Sequence, residues 1–316
     1  MHSIYFVLDH IRISGLDVWL ENFVSGLKSY QTSEIQITQD PHNATIILFM
    51  GSGIARKSHF NPNHIKQHSL YKACPSRCFI WCTEDKPLDY LPGLYASLPN
   101  RFFNSNRHKA FIYYQIPTSN IPVSEQVNKD ILYNFMGGMT SDVRHRLINV
   151  NHGSDTLVKE RLNFNHGNPA SDFDKKFFAE ILQRSYFTLC PRGVGTSSYR
   201  IFEAMRFGSV PVFISDELVL PDGPDWSKCS VRIPEREIHS IRKILENQTE
   251  ALQMGEQARY YYDLYFSEKN FLTNIVRLIS TIAPSKDGLS NDLNFYRGQV
   301  EYFTSRIGKR ISKMLK

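Results

Sequence analysis

The chain has 316 residues, of which 41% are hydrophobic and 22% are charged. This composition is typical of a soluble globular protein, and the length suits two domains. We find no internal repeat or low-complexity tract. The formal net charge of +6 is compatible with nucleotide phosphates, an anionic membrane surface or nucleic acid, and therefore selects none of these partners.

The five cysteines are an odd number and predict reduced, structural thiols rather than a disulfide framework. Cys74, Cys78 and Cys82, with His68, could supply four metal ligands, but their spacing fits no zinc pattern. The N-terminus has no basic leader, and no apolar run approaches the roughly 20 residues of a membrane helix. We therefore expect a cytoplasmic protein.

The first part of the chain predicts an α/β domain, because short apolar runs alternate with helical patterns. In open α/β sheets, ligands gather beyond the carboxyl ends of the strands. Three groups of polar residues and glycines follow predicted strands in this way: Asp9 and His10, Gly51 to Gly53, and Glu84 and Asp85. The predicted strands of this part span 4–8, 34–38, 45–50, 78–82 and 110–115, with helices at 17–30 and 63–72.

A linker with two prolines spans residues 116–123 and separates this domain from a second α/β pattern. We expect an N-terminal domain over 1–122, a second domain over 123–284, and a helical tail over 285–316 that packs back on the first domain. The end of the tail carries regularly spaced bases. It either contacts an anionic membrane surface peripherally or packs on the protein with a solvated basic face.

The stretch from Tyr186 to Asp216 predicts a strand, a glycine loop, a helix and a second strand, which together form a βαβ unit. The first strand ends at Pro191, the helix ends at Gly208, and the second strand spans 210–214. A loop before a helix N-terminus suits a phosphate, and the glycines allow close backbone approach. The loop contains small and hydroxyl residues: Gly193, Gly195, Thr196, Ser197 and Ser198.

Three charged residues flank this loop. Arg192 carries a fork-shaped guanidinium that can hold a diphosphate through two hydrogen bonds. Arg200 and Glu203 lie three residues apart on one helix face, and Glu203 could accept ribose hydroxyls. These features predict a binding site for a nucleoside diphosphate.

A second glycine-then-helix element lies earlier in the domain. A predicted strand at 132–136 runs into Gly137 and Gly138, and Ser141 can cap a helix that carries Arg144. Arg144 is either a wall of the same phosphate site or a solvated arginine on a capped surface helix.

The segment from Cys190 to Asp216, followed by Leu-Pro, Asp-Trp and Val-Arg-Ile-Pro-Glu, resembles the exostosin family of glycosyltransferases, the GT47 group. The resemblance spans about residues 185–235. It implies the GT-B fold, in which two Rossmann-like α/β domains face each other across a cleft, with C-terminal helices. It also implies a nucleotide-sugar held mainly by the C-terminal domain, and an oligosaccharide or polysaccharide acceptor held by the N-terminal one. Carried over by residue, it puts Arg192, Arg200 and Glu203 near the donor diphosphate and ribose, and Asp216 near the cleft.

The resemblance further implies inversion at the anomeric carbon, with no cofactor or essential metal. Arginine and the helix N-terminus would stabilise the leaving diphosphate in place of a metal. A single displacement needs a base that takes the acceptor proton, and the base would come from the N-terminal domain. Glu84 and Asp85 are the first candidates for this base, and Asp9 and His10 are the second.

Asp172-Phe173-Asp174 matches the DxD sequence that holds a divalent metal in some glycosyltransferases. It immediately precedes a predicted helix at 175–184, where acidic residues cap the N-terminus and oppose the helix dipole. We interpret these residues as a cap.

Two other functions stay open on the sequence alone. The spacing of Gly193, Gly195 and Ser198 partly matches the dinucleotide fingerprint of an NAD-dependent oxidoreductase, but the third glycine is missing. A non-catalytic sugar-binding module could use the same fold. We expect no nucleic-acid binding, because the basic residues do not form a recognisable module with aromatic ones. The favoured prediction is a transferase that uses a UDP-sugar in polysaccharide biosynthesis.

Overall fold

A computed structural model describes residues 1–8, 16–51, 63–86, 88–114, 116–124, 127–161, 171–283, 296–301 and 304. The chain forms two compact units. Unit 1 comprises Met1–Phe111, Val219–Asp222 and Glu268–Lys316, and unit 2 comprises Ile112–Leu218 and Gly223–Ser267. The domain limits expected from the sequence stay a prediction.

Unit 1 contains a parallel sheet. Within the described residues it has six strands in the order β2-β1-β3-β4-β5-β6. Every residue of the third strand is buried, as expected for a strand covered on both faces of a parallel sheet. The strands are β1 (His2–Val7), β2 (Ile35–Ile37), β3 (Ile46–Gly51), β4 (Cys78–Cys82), β5 (Gly93–Tyr95) and β6 (His108–Ala110).

Helices α1 (Leu16–Leu27), α2 (Asn63–Lys66), α3 (Ser69–Ala73) and α9 (Phe271–Ile279) belong to this unit. The ring of Phe271 in α9 lies 5.5 Å from that of Trp81 in β4, and Phe111 lies 5.3 Å from the same ring. Trp81 is fully buried. Through this aromatic cluster, α9 in the C-terminal part of the chain packs on the sheet of unit 1.

Unit 2 contains a second parallel sheet, which has five strands in the order β11-β10-β9-β7-β8 within the part of the chain that the structure describes. The predicted α/β class is confirmed, because each of the two units is built on a parallel sheet. The strands are β7 (Ile131–Gly137), β8 (Leu157–Glu160), β9 (Ser185–Pro191), β10 (Val210–Ile214) and β11 (Val231–Arg232), and the helices are α4 (Asp142–Ile148), α5 (Asp172–Arg184), α6 (Arg200–Arg206), α7 (Ile241–Glu246) and α8 (Ala251–Tyr261).

Four elements differ from the prediction. The strand expected at 110–115 lies at His108–Ala110, and β5 and β8 were not expected. Both are short, and their place in a sheet depends on neighbouring strands rather than on a long apolar run. The single helix expected at 63–72 is interrupted at Gln67 and His68, so that α2 and α3 are separate helices. None of the described helices is both long and apolar enough to span a membrane.

Candidate functional site

The predicted βαβ unit is present as β9, α6 and β10, with Val210 paired to Phe187 and Ile214 to Pro191. Gly193, Gly195, Thr196, Ser197 and Ser198 are all buried in the loop between β9 and α6. The Ser198 hydroxyl accepts from the backbone N–H of Arg200 at 3.4 Å, and the Ser215 hydroxyl donates to the Thr196 carbonyl at 2.7 Å. The loop is therefore held between the ends of β9 and β10.

Arg192 is half-buried at the start of this loop, and two carboxylates hold its guanidinium. Its Nε donates to Glu235 Oε1 at 2.8 Å, and its Nη2 donates to Asp142 Oδ1 at 3.0 Å. Arg192, the residue predicted to bind the diphosphate, is thus already paired with two carboxylates in this structure. A phosphate that binds Arg192 has to replace these carboxylate oxygens, because they occupy guanidinium donors of the same fork.

Glu235 connects the loop after β10 to Arg192. Its Oε1 also accepts from the backbone N–H of Asp216 at 3.3 Å, and its own N–H donates to Asp216 Oδ1 at 3.0 Å. Asp216 is exposed and lies in this network. The sequence prediction did not select Glu235 or Asp142. The sequence could have pointed to Glu235, because it is the last residue of the Val-Arg-Ile-Pro-Glu segment that resembles the exostosin family.

Arg144 is not the solvated surface arginine of the second alternative, whereas its role as a wall of the phosphate site stays a prediction. It is buried, and its guanidinium donates to the backbone carbonyls of Gly138 at 2.9 Å, Arg192 at 3.2 Å and Pro191 at 3.3 Å. Ser141 caps α4 as predicted, through a bond from the Arg144 N–H at 3.4 Å. Arg144 therefore ties α4 to the end of β9 and positions the loop.

Arg200 is also buried, at the first turn of α6. Its Nε donates to the Met136 carbonyl at 2.9 Å, and its guanidinium lies 5.3 Å from the centre of the Phe135 ring. A Cβ atom at Gly137 would overlap the Arg200 guanidinium. The absence of a side chain at Gly137 therefore allows the Arg200 guanidinium to lie close to β7.

Glu203 is the most buried acidic residue of the site, with 1% of its surface exposed. Its Oε1 accepts from the Thr118 hydroxyl at 3.0 Å, whereas its Oε2 has no hydrogen-bond partner among the described residues. Burial raises the pKa of Glu203 to about 7, and Arg200 and Thr118 partly oppose this rise. An unpaired buried carboxylate oxygen is costly, which suits a ligand that donates hydrogen bonds to it.

The raised pKa of Glu203 predicts a pH dependence of stability. Glu203 binds a proton more tightly in the folded state than in the unfolded state. Protonation of Glu203 therefore stabilises the fold fully below pH 4.5, and this stabilisation is lost as the pH rises through about 7. We expect Glu203→Gln to be more stabilising, relative to the unmodified chain, at pH 8 than at pH 5, by on the order of 3 kcal/mol. Urea unfolding of both proteins at the two pH values measures this difference. An equal difference at both pH values would contradict it.

In unit 1, the first candidates for the base lie just after β4. Glu84 is half-buried, and its Oε2 accepts from the Tyr90 hydroxyl at 3.2 Å, while Asp85 is exposed. Burial and the nearby Glu84 carboxylate raise the pKa of Tyr90 well above its ordinary value. Asp9 and His10 lie outside the described residues, as do Ser52 and Gly53. The choice of base stays a prediction.

The DxD residues cap a helix, as predicted. The Ser171 hydroxyl accepts from the Asp174 N–H at 3.1 Å, and the Asp174 carboxylate accepts from the Ser171 N–H at 3.2 Å, which is a capping box at the start of α5. The five cysteines are free, and no group of three or more metal-ligating side chains occurs among the described residues. Burial raises the pKa of Cys82, as expected for a structural thiol.

Comparison with known proteins adds to this geometry. Residues 104–248 match the Exostosin GT47 domain. The chain is 33% identical to an exostosin-1 homolog of Caenorhabditis elegans over 113 residues, which are 34% of this chain and 30% of that protein. It is 28% identical to exostosin-1 of Mus musculus over 159 residues, or 45% of this chain and 21% of that protein. The chain therefore spans less than a third of these curated relatives.

Among solved structures, an α1,3-fucosyltransferase is similar at a TM-score of 0.44 and 13% identity, with 90% of this chain and 91% of that chain covered. The matched family segment contains every donor-side residue that the sequence predicted, from Arg144 to Asp216, and also Glu235.

Proposed function

We propose that the chain is a glycosyltransferase of the exostosin kind that moves a sugar from a nucleotide-sugar to a glycan, and the match of residues 104–248 to the Exostosin GT47 domain supports this proposal. The observation that carries the proposal is Glu203. One oxygen of its buried carboxylate has no hydrogen-bond partner within the part of the chain that the structure describes, and Glu203 lies on the helix that follows a loop of the phosphate-binding type, inside the matched segment. A ribose offers hydroxyl donors for such an oxygen.

The chemistry that we propose uses positive charge where the leaving group forms. Departure of a nucleoside diphosphate develops negative charge on its oxygens, and preorganised donors stabilise that charge. Arg192 would exchange Glu235 and Asp142 for the diphosphate, while Arg144 and Arg200 hold the backbone of the loop and of β7 in place. The reaction would then need no metal and no other cofactor.

The finer parts of the proposal concern donor, stereochemistry and base. We propose a UDP-sugar donor, a polysaccharide or oligosaccharide acceptor, and inversion by a single displacement. Glu84 is the preferred base, because its carboxylate follows a strand end and accepts a hydrogen bond from Tyr90 that would hold its orientation. A cytoplasmic location and membrane contact through residues 306–316, which lie outside the described residues, stay predictions from the sequence.

A donor screen tests this function. The purified chain is incubated with UDP- and GDP-sugars and a panel of oligosaccharides, and released nucleoside diphosphate is measured. We expect release with a UDP-sugar that depends on the acceptor and persists in EDTA. Binding of nucleotide and sugar without any release, across the whole panel, would support a non-catalytic sugar-binding module instead.

Arg192→Lys tests the proposed diphosphate contact. Lysine keeps the charge but loses the planar fork, so we expect about a tenfold loss of UDP affinity, as for one charge-assisted hydrogen bond. Isothermal titration with UDP measures the effect. Arg236→Lys is the matched control, because Arg236 is 85% exposed and pairs with Glu237 instead. Equal affinity for UDP in the two variants would remove Arg192 from the site.

A further inference from the structure

A polar cavity of about 620 Å³ lies in unit 2, away from the glycine loop. The cavity borders β11 and the turn between α7 and α8. Among the described residues, its lining includes none from the loop between β9 and α6, and neither Arg192, Asp142, Glu203 nor Glu235. The cavity is therefore separate from the proposed donor site.

The chemistry of the cavity wall points to a ligand rich in hydroxyl groups. Each side-chain amide offers both donors and an acceptor, and each serine hydroxyl can do either, so the wall can satisfy hydroxyls of any orientation. The charged residues of the wall have both signs and comprise Lys228, Arg232 and Glu250. The serine, asparagine and glutamine residues of the wall are Ser227, Ser230, Asn247, Gln248, Gln253 and Gln257.

A second feature extends this wall along α8. Gln253, Gln257 and Tyr260 follow one another at helical spacing, so that they share one face of the helix. Tyr260 is 58% exposed at the end of this face. Aromatic rings present an apolar surface with a polar tip, and they lose little conformational entropy when a ligand stacks on them.

The exposed tyrosine is supported from the core. The ring of Tyr260 lies 5.6 Å from Tyr261, Tyr261 lies 6.0 Å from Tyr265, and Tyr265 lies 6.3 Å from the buried Phe266. The chain forms a π-helical turn from Tyr262 to Phe266, a geometry that is frequent at functional sites. This series of rings connects the Tyr260 platform to the buried Phe266.

We propose that the cavity and the Tyr260 platform form a binding groove for an oligosaccharide chain, distinct from the donor site. The amide and hydroxyl side chains bind sugar hydroxyls, and Tyr260 stacks on a sugar ring. This inference rests on the proposed function in that it assigns the groove to the glycan acceptor. The groove would hold a distal part of that chain while the growing end reacts elsewhere.

Affinity measurements on the full chain test the groove. The probes are a hyaluronan octasaccharide, which carries carboxylates, and maltoheptaose, which is neutral. We expect one of them to bind, and Tyr260→Ala and Gln257→Ala each to weaken binding about three- to tenfold. Tyr260→Phe should keep most of the affinity because it keeps the ring. Leu252→Ala is the matched control on another face of α8, where Leu252 is 56% exposed.

The outcomes separate this inference from the proposed function. Titration of UDP on the same samples reports the donor site. Loss of oligosaccharide binding with UDP affinity unchanged supports the groove. Oligosaccharide binding that none of the α8 substitutions weakens, or no binding of either probe by a chain that binds UDP, overturns it. If the groove binds an oligosaccharide as expected but the chain releases no nucleoside diphosphate in the donor screen, the groove is supported and the proposed transferase activity is contradicted.

Discussion

Glu203→Gln is expected to lower the affinity for UDP about 10- to 100-fold, because the neutral amide loses a charge-assisted hydrogen bond to a ribose hydroxyl, which contributes about 1.5 to 3 kcal/mol. The substitution keeps the shape of the side chain. Glu203 is buried, its Oε1 accepts a hydrogen bond from Thr118, and its Oε2 has no partner among the residues that the structure describes. Isothermal titration with UDP at pH 8, where the carboxylate is charged, measures the loss.

The same measurement at lower pH adds a second arm. Since burial raises the pKa of Glu203 to about 7, protonation should weaken UDP binding to the unmodified chain as the pH falls below that value. The glutamine variant should show no such change. Glu180→Gln is the control, because Glu180 is an exposed carboxylate on α5 in the same unit. If Glu203→Gln and Glu180→Gln bind UDP equally well, Glu203 does not contact the donor.

Gly255→Ala is expected to destabilise unit 2 by about 3 kcal/mol, which corresponds to a melting temperature lower by roughly 6 to 12 °C. Gly255 is buried in α8, and a Cβ atom there would overlap the backbone carbonyl oxygen of Gly208. Gly208 follows α6 with a φ of 69°, so its backbone cannot shift without disturbing the helix that carries Arg200 and Glu203. Thermal unfolding monitored by circular dichroism measures the change.

Gly26→Ala is the matched control for Gly255→Ala. Gly26 lies in α1, and a Cβ atom there meets nothing within 4 Å. Alanine favours a helix over glycine by up to about 1 kcal/mol, so this variant should be neutral or slightly stabilised. Equal melting temperatures for the two variants would show that α8 does not need the close contact with Gly208.

The prediction from sequence was most successful where the signal is local. β4 and β10 have the predicted bounds, and the loop between β9 and α6 lies where the glycines indicated. Apolar runs, glycines and helical periodicity depend on residues close in the chain. Short elements were missed because β5 and β8 acquire their hydrogen bonds only from neighbouring strands.

The partners of the site residues could not be predicted. Arg192 pairs with carboxylates that are 43 and 50 residues away, and Glu203 accepts from a hydroxyl 85 residues away. The sequence places Arg144 and Arg192 near one loop, but it does not show which guanidinium holds backbone carbonyls and which faces carboxylates. That distinction depends on the burial of each side chain in the folded unit.

The sequence by itself determined the fold class and the family-like loop, because strand-forming runs, glycines and helix-capping residues act over a few neighbouring positions. The tertiary structure alone decided the electrostatics of the site. It buried Glu203 and raised its pKa to about 7, paired Arg192 with Glu235 and Asp142, and set Arg144 against the loop backbone. Burial and long-range partners set the charge and hydrogen bonding of a side chain, and both exist only once the strands have assembled.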